Sequence, residues 1–278
     1  TSGNGVDNTV GWLDTGGGAM GPNNRIYTNI SYQSSYVERG KAFGADAVEP
    51  GGEGELLDAI QEWMDTSQDK YYYENSYVYG YGHISTWNVS EVTDFYNLFF
   101  MLGDYDEFNE DISLWDVSSV TDMSMAFEDC EAFNQDISNW DVSSVRNMEL
   151  MFKKAESFNQ PLNSWNVSRV TNMEEMFHDA EAFNQEIGDW DVSSVTSMYL
   201  MFEFATVFNG NIGSWDVSSV TSMKRMFQDT YEFNQDIGNW DVSKVTDMEK
   251  MFFDAEIFNG NIGSWDVSSV SNMKVMFR

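Results

Sequence analysis

From residue 83 onward, apolar residues return along this chain with a period of 25. Tryptophans stand at Trp87, Trp115, Trp140, Trp165, Trp190, Trp215, Trp240 and Trp265, and after a first interval of 28 every interval is 25. The longer first interval places a three-residue insertion near the stretch MLGDYDE. With each unit counted from its phenylalanine as position 0, apolar residues fill position 0 (Phe), 4 (Ile or Leu), 7 (Trp), 9 and 12 (Val), 15 (mostly Met), 18 and 19 (usually Met-Phe) and 22 (mostly Ala). Positions 15, 18, 19 and 22 have helical spacing. In TNMEEMFHDA, Thr171 and Glu174 have the form of a capping box, repeated by Thr246 and Glu249. Positions 4 to 9, as in ISNWDV at 137–142, are too short for more than a strand piece. The pattern predicts an α/β repeat: a leucine-rich-repeat-like solenoid of about eight 25-residue coils, each with a short strand and a short helix. A single unit cannot bury its apolar face, so stability has to come from stacking. Strands stack about 4.8 Å apart and helices roughly 8–10 Å apart, so a mismatch between the two sides of the stack is expected.

Ahead of the repeats, ELLDAIQEWM at 55–64 has apolar residues at 56, 57, 60, 63 and 64, the pattern of an amphipathic helix. Solenoid ends need covers, so this helix is expected to cap the first coil. Three regions follow: a glycine-rich segment at 1–54, a capping helix with a tyrosine-rich connection at 55–82, and the solenoid at 83–278. Residues 1–54 contain 12 of the 21 glycines, and short strands are expected at 25–31 and 32–37. The last unit breaks off at MKVMFR. If the N-terminal segment of a neighbouring copy covered that face, the contact would be heterologous and could build a filament.

The charge narrows the partners. Acidic residues number 46 against 14 basic, a net charge of −32. Such a surface repels phosphate backbones and anionic lipid, which argues against nucleic acid and acidic membranes. No apolar run reaches the roughly 18 residues of a membrane helix. The single cysteine, Cys130, allows no internal disulfide and stands where most units have alanine, as a small buried filler.

Each column of equivalent residues has a structural and a chemical reading. The tryptophans Trp115, Trp140, Trp165, Trp190, Trp215 and Trp240 are a core ladder or, alternatively, an aromatic strip for sugar rings. One buried indole removes about 150–250 Å² from water, an effect on the order of 4–6 kcal/mol, which favours the core. Position 8 holds only Asp or Asn, as at Asp116, Asp141 and Asn166. An Asx-turn requires those two residues, whereas a calcium strip could equally use Glu. Asn134, Asn159, Asn184, Asn209 and Asn234 share position 1, where stacked amides can bond along the column. Position 3 varies, and Asp111, Asp136, Glu186 and Asp236 are its calcium candidates, the one metal the acids suggest. Asn29, Asn88 and Asn166 begin N-x-S sequons and are glycosylation candidates. The Ser and Thr rows at positions 10, 11 and 13 serve turns and caps or, alternatively, a flat polysaccharide- or ice-binding surface.

Catalytic material is sparse. The two histidines, His83 and His178, lie far apart in the array, and no glycine-rich phosphate loop follows a strand. The residues point away from an enzyme.

The stretch SSVTSMKRMFQDTYEFNQDIGNWDV at 218–242 resembles the BspA-like leucine-rich repeats of bacterial and protist surface proteins. More closely, the chain is similar to a 25-residue tandem-repeat domain of unknown function found in mycoplasma lipoproteins and marine protists, whose units read FNQDISNWDVSSVTNM…MF. The likeness runs from Leu56 to Arg278; residues 1–54 do not share it. It implies an extracellular or cell-surface location and a role in adhesion or in binding a protein or glycan, and it carries no catalytic residues. The function expected is that of a non-catalytic recognition scaffold. A head-to-tail structural filament and a calcium-dependent carbohydrate binder are the alternatives.

Overall fold

A computed structural model describes Phe43 and residues 55–67, 83–100 and 107–278. All of these belong to one compact unit, Arg39–Arg278. The strands expected at 25–31 and 32–37, the assembly arm, the tyrosine-rich connection and Asn29 lie outside the described residues.

The helix α1 spans Glu55–Ser67 and runs three residues past the expected end. Leu56, Ala59, Ile60, Trp63 and Met64 are buried and join the core of the repeats. These positions lie three or four apart, so they form one stripe of the helix. Trp63 meets Trp87 edge-on at 6.3 Å between ring centroids, which seats the stripe on the first unit. Phe43 lies against the same indole at 5.4 Å, and its N–H donates to Asn88 O at 2.9 Å. A 3₁₀ turn, η1, follows at Ile84–Thr86, and His83 accepts the Ser85 N–H at its start.

Beyond η1, the described residues contain no α-helix and no strand longer than a single bridge. The helix expected at positions 15 to 22 and the strand expected at 4 to 9 therefore do not form. Positions 15 to 22 instead make consecutive tight turns. In one unit Met151, Lys153 and Ala155 donate to Met148, Leu150 and Phe152, each three residues back. The N–H groups between them point along the stack, from Met148 to Asn172 O, Leu150 to Glu174 O, Phe152 to Met176 O and Lys154 to His178 O, at 2.7–3.0 Å. Past its first turn, an α-helix would direct these N–H groups back into its own unit. Packed helices also need roughly 8–10 Å between axes, whereas direct backbone bonds bring the units together at about the spacing of a β ladder. The spacing mismatch expected from the sequence does not arise.

The zigzag needs left-handed backbone. Every non-glycine residue with positive φ among the described residues stands at position 17 or 21, as at Leu150 (φ 59°) and Lys154 (φ 56°). Each such residue is disfavoured by roughly 1–2 kcal/mol, and the bonds to the next unit hold it in place. Turns repeating every four residues bring positions 15, 18, 19 and 22 to the inside, the same set an amphipathic helix would bury. The capping box also dissolves into the stack. Thr171 Oγ1 donates to Arg146 O in the preceding unit, and the Glu174 N–H goes to Asn172 Oδ1.

Parallel bridges run at position 14 through Asp94, Asp122, Asn147, Asn172, Ser197, Ser222, Asp247 and Asn272, and one more joins Phe252 to Phe277. The Asp and Asn side chains of position 14 accept the N–H two residues ahead, as Asp122 does from Ser124 at 2.8 Å and Asn172 from Glu174 at 3.0 Å. Inside the stack, phenylalanines of position 19 lie 5.5–5.8 Å apart from Phe127 to Phe252. Each also sits 3.9–4.2 Å from the position-0 phenylalanine that follows it.

Cys130 is fully buried, and burial pushes its thiol well above its ordinary pKa, with Asp129 and Glu128 adding to the shift. A thiol held in that form is a poor nucleophile. Cys130 is therefore expected to resist a thiol-specific alkylating reagent in the folded chain at pH 8 and to react fully in urea. Fast native labelling, followed by mass spectrometry, contradicts this placement.

Candidate interaction face

The invariant columns are occupied with holding the stack together. The indoles of Trp115, Trp140, Trp165, Trp190, Trp215 and Trp240 are buried. Each Nε1 donates to the position-4 carbonyl of the unit before, at 2.8–3.2 Å, as in Trp190 to Leu162 O. Backbone bonds between units are absent there, because positions 4 to 7 and 9 to 12 close turns on themselves, for example Trp140 N to Ile137 O and Val145 N to Val142 O. The tryptophan side chain supplies the missing link, which phenylalanine could not do.

Asparagine does the same at position 1. The N–H groups of Asn134, Asn159, Asn184, Asn209 and Asn234 donate to Oδ1 of the asparagine one unit earlier, at 2.9–3.0 Å. Gln135, Gln160, Gln185 and Gln235 add Nε2 bonds to the same asparagines. Gly210 takes the glutamine's place where a Cβ would stand 2.7 Å from Gln185 O.

Position 8 forms Asx-turns. Asp141, Asp191, Asp216, Asp241 and Asp266 each accept the N–H of the serine two residues on, at 3.0–3.1 Å. For Asp141, Asp216, Asp241 and Asp266 the serine hydroxyl and N–H hold the carboxyl below its usual pKa. That contribution to stability is present above the ordinary carboxylate pKa and is lost as pH falls below it. Asn88 and Asn166 make the same turn with Ser90 and Ser168, and both are exposed.

Three of the calcium candidates are turn residues as well, and the fourth, Glu186, bonds to the next unit. Asp111, Asp136 and Asp236 accept the N–H groups of Ser113, Ser138 and Gly238 at 3.0–3.1 Å, and Glu186 accepts that of Asn211 at 3.3 Å. Hydrogen bonds from Ser113 and Ser138 lower the Asp111 and Asp136 pKa. Among the described residues, no three His, Cys, Asp or Glu side chains converge as metal ligands. Serines and threonines of the outer rows likewise bond within the stack, as Thr196 Oγ1 to Thr171 O and Ser194 Oγ to Ser168 O.

A different chemistry occupies positions 16, 17, 20 and 21, on the zigzag turns. Position 20 runs Glu128, Lys153, His178, Glu203, Gln228, Phe253. Position 16 includes Tyr96, Glu149, Tyr199 and Lys224. Their backbone bonds to the neighbouring units, and several of the side chains pair across units as well. Lys153 Nζ lies 3.1 Å from Glu128 and 3.5 Å from Glu175, and Lys224 lies 3.1 Å from Glu249. Lys250 and Arg278 stand over the Phe253 ring at 4.7 and 5.1 Å. Buried polar atoms without hydrogen-bond partners cluster here too: Asn97 Oδ1, Arg225 Nε and Gln228 Oε1. Left-handed backbone is confined to two of these positions, 17 and 21. Strain and unsatisfied polar groups are features that mark functional surfaces. The sequence pattern held the signal, in the columns where the units stop agreeing, but the expected helix hid which of those columns share a face.

No curated protein and no solved structure matches this chain. A family described as a Mycoplasma protein of unknown function, DUF285, matches at residues 66–190 and again at 176–278. With the two matches together running from 66 to 278, the chain belongs to the Mycoplasma family of unknown function DUF285.

Proposed function

We propose that this chain is a leucine-rich-repeat-like solenoid acting, without catalysis, as an extracellular or cell-surface scaffold that recognises a protein or glycan through positions 16, 17, 20 and 21. One observation carries the reading. Columns that fill the core or hold the turns stay nearly constant from unit to unit, while positions 16, 17, 20 and 21 differ in charge, size and aromaticity. Eight units presenting unlike side chains in register make an extended surface of individual character, which a purely structural role does not require. Mixed charge and partly exposed Tyr96 and Tyr199 suit an interface better than a solvated flank.

The test is binding of the purified chain to a glycan array and to a panel of extracellular-matrix proteins. A variant with Tyr199→Ser and Lys224→Ser is expected to lose at least tenfold in affinity for whatever is captured, the effect of about 1.4 kcal/mol. A control with Asp216→Asn and Asp241→Asn, on the turn column, is expected to bind as the parent does. Equal binding by the first variant, or loss confined to the second, overturns the assignment of the face.

A further inference from the structure

The most unusual group on the variable face is Glu203. Its side chain is 3% exposed, and no Lys or Arg lies within hydrogen-bond distance. Burial, the largest influence, raises its pKa; His178 and Arg225 oppose that, and Asp229 and Asp179 reinforce it. Arg225 NH1 is 3.7 Å away. From the preceding unit, His178 Nδ1 stands 3.6 Å from Glu203 Oε2 and 3.6 Å from Glu175 Oε2, and its Nε2 stands 3.3 Å from Asp179 Oδ2. One imidazole thus faces three carboxylates, two on its own unit and one on the next. Lys153, from the unit before, reaches Glu175 at 3.5 Å. The remaining neighbour, the Phe204 ring at 6.0 Å, carries no charge.

We propose that His178 and Glu203 form a pH-sensitive joint between two adjacent units, held closed when the imidazole is protonated and loosened when it is neutral. Histidine is the side chain that changes charge between pH 5 and 8. As imidazolium, His178 places a positive charge within 3.3–3.6 Å of Asp179, Glu175 and Glu203 and offsets those acids. As neutral imidazole it leaves Glu175, Asp179, Glu203 and Asp229 facing two cations, Lys153 and Arg225. The sign follows for both partners. An imidazolium attracts the three carboxylates within 3.3–3.6 Å of it, and a neutral ring does not. A carboxyl with raised pKa likewise favours the fold most when protonated, so its contribution also falls with rising pH. Both changes loosen the joint in the same direction. The geometry stands apart from the recognition reading, and the test below needs no partner.

Hydrogen exchange of the full chain, corrected for the intrinsic pH dependence of exchange, is the measurement. Peptides covering 172–204 are expected to exchange severalfold faster at pH 8 than at pH 5.5, while those covering 233–252 keep one corrected rate. His178→Asn, which cannot be charged, should exchange at the fast rate at both pH values. His178→Arg, which is always charged, should exchange at the slow rate at both. Glu203→Gln should remove most of the pH dependence while His178 is still present. With two histidines in the chain, the imidazole resonances also report directly: the His178 titration should move on Glu203→Gln and that of His83 should stay. A pH-independent exchange rate at 172–204, or a His178 titration indifferent to Glu203→Gln, overturns the joint.

Discussion

Replacing Trp190 with alanine is expected to destabilise the chain by about 3–5 kcal/mol, the range for removing a large buried aromatic. The side chain is 3% exposed. Its ring lies parallel to that of Trp215 at 6.4 Å and also 6.4 Å from Phe177, so alanine leaves a cavity bordered by two units. The indole N–H bond to Leu162 O at 2.8 Å goes as well. Trp190→Phe separates the two contributions. Phenylalanine keeps most of the apolar volume and leaves a buried carbonyl without its donor, a loss of about 1–3 kcal/mol. Urea unfolding followed by circular dichroism gives both values. A phenylalanine variant as stable as the parent would show that the indole is there for volume alone. The same substitution at Trp140 or Trp240 should behave alike, because the bond to the preceding unit recurs at 3.2 and 3.1 Å.

The second large effect is expected at the other end of the core. Ile60→Ala in α1 removes a fully buried side chain and should lower stability by about 2–5 kcal/mol. Its reach is more informative than its size. The helix meets the repeats around Trp87 and His83, with Trp63 at 6.3 and 4.9 Å from those rings. Beyond that contact, bonds in the stack join each unit to the one before and the one after. When repeats interact with nearest neighbours, disturbance decays along the array. Hydrogen exchange should therefore accelerate most in 84–100, less in 107–130, and hardly at all in 208–252. Uniform acceleration would mean that the units unfold as one body, and the nearest-neighbour account would fail.

The structure explains how so acidic a chain tolerates its own charge along the exposed turn column. Units lie close enough for direct backbone bonds, and like charges one β-ladder spacing apart, about 4.8 Å, repel by roughly 3–4 kcal/mol at an effective dielectric of 20. Each position-8 carboxylate instead spends its lone pairs on the serine N–H two residues ahead, and at Asp116 and Asp191 also on the serine hydroxyl at 2.6 Å. Asn166 makes the same bonds without charge. The turn thus requires an oxygen at that point, and both residue types provide it.

Much of this was legible in the sequence. The 25-residue period, the burial of the tryptophans, the Asx-turns at position 8 and the amphipathic character of α1 all follow from spacing and residue type, because burial and short-range side-chain bonds are local in their demands. What periodicity could not resolve is the path of the backbone at positions 15 to 22. A short helix and a chain of four-residue turns bury the same four positions, and Thr171 with Glu174 fits a capping box equally well before the partner of each N–H is known. That choice lies with the neighbouring unit, which offers a row of carbonyls from Asn172 to His178 at bonding distance. The bridge at position 14 stayed hidden for the same reason, since Asp94, Asn147 and Ser197 look like ordinary turn residues until they are set side by side.

By itself, then, the sequence determined that equivalent units repeat and which of their side chains turn inward. The tertiary structure decided which groups join one unit to the next, that left-handed turns replace the helix, and that His178 and Glu203, 25 residues apart, stand face to face. Hydrophobic burial is written into one unit's own spacing, whereas a hydrogen bond between units depends on how the next unit is placed.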